Sequence, residues 1–127
     1  MQRPIDARET ITEIQVSNLV RSKEWYSLLF GKPPDLGPCP GNVEFKVGGA
    51  WVQIVEGEVK PSSWTTLFEV RDLHRERERL RENNISATEI KTSPNVISWF
   101  DLTDLDSNSM MWFQVLTTDA KVTGNRN

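Results

Sequence analysis

A short phrase occurs twice in this chain, and it limits what the chain can fold into. Val16-Ser17-Asn18-Leu19 ends one alternating apolar run and opens a helical pattern. Val70-Arg71-Asp72-Leu73 does the same, 54 residues later, counted from Val16 to Val70. Asn and Asp are strong helix N-caps, because the side-chain oxygen takes an orphan amide of the first turn. Each copy therefore predicts a strand, a cap and a helix. A chain with two such units predicts a tandem of similar modules.

The pattern between and around the copies fills in those modules. In 10–17, Ile14 and Val16 alternate with Glu13 and Gln15, so one face of this strand meets a core. Asn18 predicts a helix to Phe30, with Val20, Trp25, Leu28 and Leu29 as its apolar stripe and Tyr26 and Phe30 widening it. Gly31 suits the position just past a helix, and Pro33-Pro34 forbid continuation. The Gly- and Pro-rich stretch 31–42 reads as a loop. Val43 to Val47 and Ala50 to Glu56 read as a hairpin about Gly48-Gly49. Val52 and Ile54 share one face of its second strand; Trp51, Gln53 and Val55 share the other.

After a connector, Trp64 starts the second unit. Thr66, Phe68 and Val70 alternate with Thr65, Leu67 and Glu69. Asp72 predicts a helix to about Glu82, thinly apolar through Leu73 and Leu80. Its alternating Arg and Glu run reads as a solvated face. Asn83-Asn84 closes it. Strands are expected over 85–92, 96–102 and 110–116, with turns at Ser93-Pro94-Asn95 and at Asp104-Leu105-Asp106-Ser107-Asn108. The order is βαβββ, twice. This predicts an α+β chain, 1–127, forming one domain. Module one covers about 10–57 and module two about 64–116; the polar tail 117–127 is expected to be disordered.

Composition removes several function classes. The chain has 127 residues, 26% charged, with a net charge of −3. No basic face for nucleic acid is signalled. No stretch is long enough to span a membrane, and the polar start lacks a secretory h-region. The single cysteine, Cys39, lies in Gly37-Pro38-Cys39-Pro40-Gly41 and permits no internal disulfide. That fits a cytoplasmic protein. The lone His74 falls in the first turn of the second helix and reads as a surface residue.

Four segments carry a resemblance. Val16 to Tyr26, ending in Leu29-Phe30-Gly31, resembles the opening of glyoxalase/bleomycin-resistance/dioxygenase proteins, the vicinal oxygen chelate superfamily. Trp51-Val52-Gln53-Ile54-Val55 is similar to the last strand of that family's first module, and Phe68 to Leu73 to its second opening. Asp104 to Asn108 stands where the family has Asp-Pro-Asp-Gly-Asn. The resemblance spans about 10–116. It implies paired βαβββ modules whose sheets curl around a cavity, and it implies a homodimer, which also suits a small core.

Leu105 and Ser107 replace the family's Pro and Gly, so the turn must seat Ser where positive φ is common. The metal positions that the resemblance implies fall on Ile11, Gln53, Thr65 and Met111. Ile11 and Met111 offer no useful ligand to a hard or borderline divalent metal, and Gln53 and Thr65 are weak neutral donors. No metal and no cofactor is expected, although Glu13, Glu69 and Gln53 form a second conceivable set. Strand parity places Glu13, Gln15, Trp51, Gln53, Leu67, Glu69, Met111 and Phe113 on the cavity face. An aromatic and apolar wall with a few polar groups suits a small molecule. The two carboxylates, expected to be buried there, suit a cationic, partly planar ligand. A metal-free small-molecule-binding protein is therefore the expectation. The alternatives are a superfamily lyase, isomerase or dioxygenase with a non-standard metal site or a metal-free acid–base mechanism, and an interaction module whose cavity is vestigial.

Overall fold

Both helices begin where the repeated phrase puts them. Asn18 Oδ1 accepts from Arg21 N, and Asp72 Oδ1 accepts from Arg75 N, each at 3.1 Å. A second acceptor reaches each first turn from the end of a distant strand. Glu56 Oε1 takes the Leu19 amide at 2.9 Å, and Gln114 Oε1 takes the Leu73 amide at 2.8 Å. Two of the orphan amides at each helix start are thus satisfied, and each helix is tied to the last strand of its own module.

The computed structural model describes residues 3–60 and 64–117. They divide after Lys60 into two compact units. The tail beyond Thr117 and the Cys39 side chain lie outside the described residues. The first unit runs β1 (Ile11–Val16), α1 (Leu19–Phe30), β2 (Leu36–Cys39), β3 (Asn42–Val47) and β4 (Ala50–Glu56). The second runs β5 (Thr65–Glu69), α2 (Leu73–Glu82), β6 (Lys91–Ser93), β7 (Ile97–Thr103) and β8 (Ser109–Val115). Their sheets have the orders β1-β4-β3-β2 and β5-β8-β7-β6. In each, the first strand pairs in parallel with the last, and the other pairings are antiparallel. The chain is α+β, with two βαβββ modules each forming a mixed four-stranded sheet.

The first core lies under α1. Ile14, Val16, Val43, Phe45, Val52 and Ile54 are buried on one face of the sheet. Phe30 meets Phe45 with ring centroids 5.1 Å apart. The helix stripe is Ser22, Tyr26, Leu29 and half-buried Phe30: Tyr26, Leu29 and Phe30 are as expected, Ser22 is an addition, and Val20 and Leu28 drop out. Val20 is 75% exposed and Leu28 46%. The spacing explains it: positions i, i+4, i+7 and i+8 share one face, and Val20 and Leu28 fall off it. Gly31 then takes φ 74° and ends the helix.

The predicted loop 31–42 contains a strand, β2. It pairs with β3 only at Leu36↔Glu44 and Cys39↔Asn42, with a register shift between. Pro38 shows no alternation and has no N–H to give, which an edge strand tolerates. Where β2 stops short, side chains cap the β3 edge instead. Lys46 N donates to Asp35 Oδ2 at 2.8 Å, and Lys32 Nζ donates to Lys46 O.

In the second unit Phe100, Leu102, Met110 and Trp112 are buried on the face under α2, whose own buried residues are Leu73 and Leu80. Asn84 at φ 59° ends this helix. Ile85 N donates to Leu80 O at 2.9 Å and Asn84 N to Arg81 O at 3.0 Å, the bond pair of a Schellman closure. The strand expected over 85–92 shrinks to β6. Residues 85–90 are irregular and are held instead by Arg77, whose Nε donates to Thr88 O at 2.8 Å.

The turn at 104–108 forms despite its departures. Asp104 Oδ1 accepts from the amides of Asp106 and Asn108, and Oδ2 accepts from Asn108 Nδ2. These bonds hold Ser107 at φ 67°, a conformation that Gly adopts without strain and Ser does not.

Candidate functional site

Alternation decides what each sheet shows on the face away from its helix. In the first unit the register gives Ile11–Trp51–Lys46, Glu13–Gln53–Glu44 and Gln15–Val55–Asn42 as three rows across β1, β4 and β3. Adjacent strands lie about 4.8 Å apart, so Glu13 and Glu44 flank Gln53 at about 10 Å from each other. Trp51 is half-buried. The Lys46 ammonium sits over its ring, 5.6 Å from the centroid. Asp35 and Lys32 fix the Lys46 backbone, so this cation–π contact is built on a clamped strand edge. The Asp35 carboxyl is held below its ordinary value of 3.8, first by the Lys32 hydrogen bond and then by the Lys46 amide.

In the second unit the rows run Thr65–Ser109–Thr103, Leu67–Met111–Asp101 and Glu69–Phe113–Trp99–Lys91. Leu67 is 57% exposed, Met111 and Trp99 are half-buried, and Phe113 is buried. Lys91 Nζ lies 3.7 Å from Asp101 Oδ2. Beside the first of these rows is a cavity of about 350 Å³, lined by the hydroxyl residues Thr65, Ser86, Thr88, Thr103 and Ser109, together with Asp101 and Met110.

The eight residues singled out from the sequence thus divide into two sets of four. Glu13, Gln15, Trp51 and Gln53 share the helix-free face of the first sheet. Leu67, Glu69, Met111 and Phe113 share that of the second. Glu13 and Glu69 are exposed, which overturns the expectation that both carboxylates are buried. The remaining strands add residues outside that set of eight: Glu44 and Lys46 on β3, Trp99 and Asp101 on β7, and Lys91 on the edge strand β6. The same alternation marks them in the sequence, since Glu44 and Lys46 interleave with Val43 and Phe45, and Trp99 and Asp101 with Phe100 and Leu102.

No family model matches the sequence, and no curated protein matches it. Solved structures do. A glyoxalase/bleomycin resistance protein from Catenulispora acidiphila superposes with a TM-score of 0.77 at 19% identity, covering 86% of this chain and 99% of that one. Lactoylglutathione lyase from Agrobacterium tumefaciens superposes at 0.71 with 16% identity, covering 88% and 96%. The fosfomycin resistance protein FosX from Listeria monocytogenes, complexed with Mn(II), superposes at 0.69 with 13% identity, covering 98% and 100%.

This chain has the glyoxalase/bleomycin-resistance fold.

The donor set at the positions that metal-dependent proteins of this fold imply does not fit a divalent metal. Ile11 is a hydrocarbon on the edge strand β1, 56% exposed, with Trp51 as its register partner. Met111 offers a thioether, and Gln53 and Thr65 offer neutral oxygens. Protein sites for such cations are normally built on carboxylate or imidazole donors, supplemented by neutral oxygens, and these four positions carry neither a carboxylate nor an imidazole. Among the described residues no three His, Cys, Asp or Glu side chains gather where they could hold an ion, and His74 is exposed on α2. No helix among them is long and apolar enough to cross a membrane.

Proposed function

We propose that this chain is a member of the glyoxalase/bleomycin-resistance superfamily that binds a small molecule on the helix-free faces of its sheets, without a metal ion. The observation that carries the reading is the donor set just described: a site with Ile11 and Met111 at two of its four positions binds by shape, charge and stacking. Each face presents two carboxylates and one lysine, Glu13 and Glu44 with Lys46, and Glu69 and Asp101 with Lys91. That balance favours a cationic ligand. Aromatic and apolar neighbours add the wall that small-molecule sites normally have.

A thermal-shift screen of cationic aromatic compounds, run with EDTA and with added Mn(II), Ni(II) or Zn(II), tests this. Hits should stabilise the protein equally with EDTA. The Glu13→Gln/Glu69→Gln double variant should bind them several-fold more weakly, since an exposed charge contact is worth up to about 1 kcal/mol. Binding that requires one of the metals overturns the reading.

A further inference from the structure

We propose that Trp99 is the residue that selects the ligand's shape, by stacking a planar ring against the second sheet. This rests on the small-molecule reading above and names the ligand class for that face: flat aromatic cations over non-planar cations of equal charge.

The five tryptophans are not equivalent. Trp25 packs edge-on against Tyr26, 4.9 Å between centroids. Trp112 is buried between Phe68 and Phe100. Trp51 already carries Lys46 over its ring, so a ligand there must displace an internal cation. Trp64 lies before β5, outside the sheet. Trp99 is half-buried on the helix-free face and has no ring or cation partner among the described residues.

Its surroundings match a ring with a charged substituent. Across the sheet Trp99 stands beside buried Phe113, with Met111 on the diagonal and Lys91 on its other flank. Cross-strand neighbours stand about 5 Å apart, so these side chains support the indole from the β8 side. Asp101, on the same strand and face, offsets the charge of Lys91, so the surplus negative charge rests on Glu69 at the far end of the row. Lys91 is engaged by Asp101 at 3.7 Å. A flat cation laid on the indole gains stacking, cation–π attraction and a carboxylate. An aliphatic cage of equal charge gains only the charge contact.

The experiment is isothermal titration calorimetry with proflavine, a planar cation, and 1-adamantylamine, a non-planar one. Wild type should bind proflavine at least about tenfold more tightly, the scale of one stacked ring. Trp99→Leu should lose about tenfold in proflavine affinity, with little change for 1-adamantylamine. Trp99→Phe should restore most of the loss, and Trp51→Leu should leave binding within about threefold. Circular dichroism checks that each variant is folded. Equal binding of proflavine by wild type and folded Trp99→Leu overturns the proposal, as does a wild type that fails to bind proflavine. If Trp99→Leu abolishes selectivity while Glu13→Gln/Glu69→Gln binds normally, the charge part of the functional reading falls and the stacking assignment stands.

Discussion

In the first unit the helix brings the large side chains to the core; in the second the sheet brings them. α1 supplies Tyr26, Leu29 and Phe30 to a sheet face built mainly of Ile and Val. α2 buries two leucines, and the sheet beneath it fills the space with Trp112, Phe100 and Met110. The caps and strand orders are the same in both. The frame of a βαβββ module therefore leaves open which layer carries the volume, provided that the two together close the gap. The second solution has a cost. Trp112 Nε1 is buried with no hydrogen-bond partner among the described residues, and such a donor loses about 1–3 kcal/mol of solvation.

The largest test of this contrast removes one leucine from each helix. Leu80→Ala truncates one of the two buried side chains of α2 and leaves the Leu80 carbonyl that accepts from Ile85 N in place. It should cost about 2–5 kcal/mol, and the amides of α2 should lose their exchange protection. Leu29→Ala should cost a similar amount globally, but α1 should stay protected, because Tyr26 and Phe30 still hold it. Native-state hydrogen exchange by NMR reads both. Equal loss of protection in the two helices would break the comparison.

A smaller effect concerns the turns. The second unit holds Ser107 at φ 67° and relies on Asp104 to keep it there. The first unit uses Gly48 at φ 57° in its hairpin. Ser107→Gly should stabilise the protein by about 0.5–1 kcal/mol, through relieved strain set against a looser unfolded chain. Chemical denaturation measures it. A destabilisation would mean that the Ser107 side chain contributes more than its backbone costs.

The parts legible in the sequence were those with a local physical cause. Asn18 and Asp72 fixed both helix starts, because a cap acts within one turn. Ile14, Val16, Val52 and Ile54 showed their buried face through period-two alternation. β2 was hidden because an edge strand with Gly37 and Pro38 obeys neither signal. Tyr26, Leu29 and Phe30 of the α1 stripe show in the pattern; Ser22 does not, because it is polar, and Val20 and Leu28 mislead, because they are apolar and exposed. Residues 85–90 alternate as a strand does, yet Arg77 binds their carbonyls from α2, a contact no local pattern encodes. At the site, the third strands β3 and β7 carry the same alternation as the first and last strands, and Trp99 shows its face through its alternation with Phe100.

The smallest effect is electrostatic and concerns the clamped strand edge of the first unit. Lys32 Nζ lies 2.7 Å from Asp35 Oδ2, and the same oxygen accepts the Lys46 amide. Both contacts favour the carboxylate, so the folded pKa of Asp35 lies below 3.8. A group whose pKa falls on folding contributes stability above its unfolded value and loses it as pH drops through the folded one. The stability difference between wild type and Asp35→Asn should therefore be constant above about pH 5 and should shrink as the pH falls below 4. The group is exposed, so salt should weaken the effect. Carboxyl-carbon NMR titration gives the value directly, and Lys32→Met should move it back toward 3.8. The second unit provides the control. Glu78 is lowered too, through Arg81 on the same helix, but that pair ties no strand edge. Protonating Asp35 should loosen the Lys46 clamp over Trp51 and change its fluorescence near the Asp35 pKa, whereas protonating Glu78 should leave Trp99 unchanged. An unchanged Trp51 signal across the Asp35 titration would show that the clamp does not position Lys46.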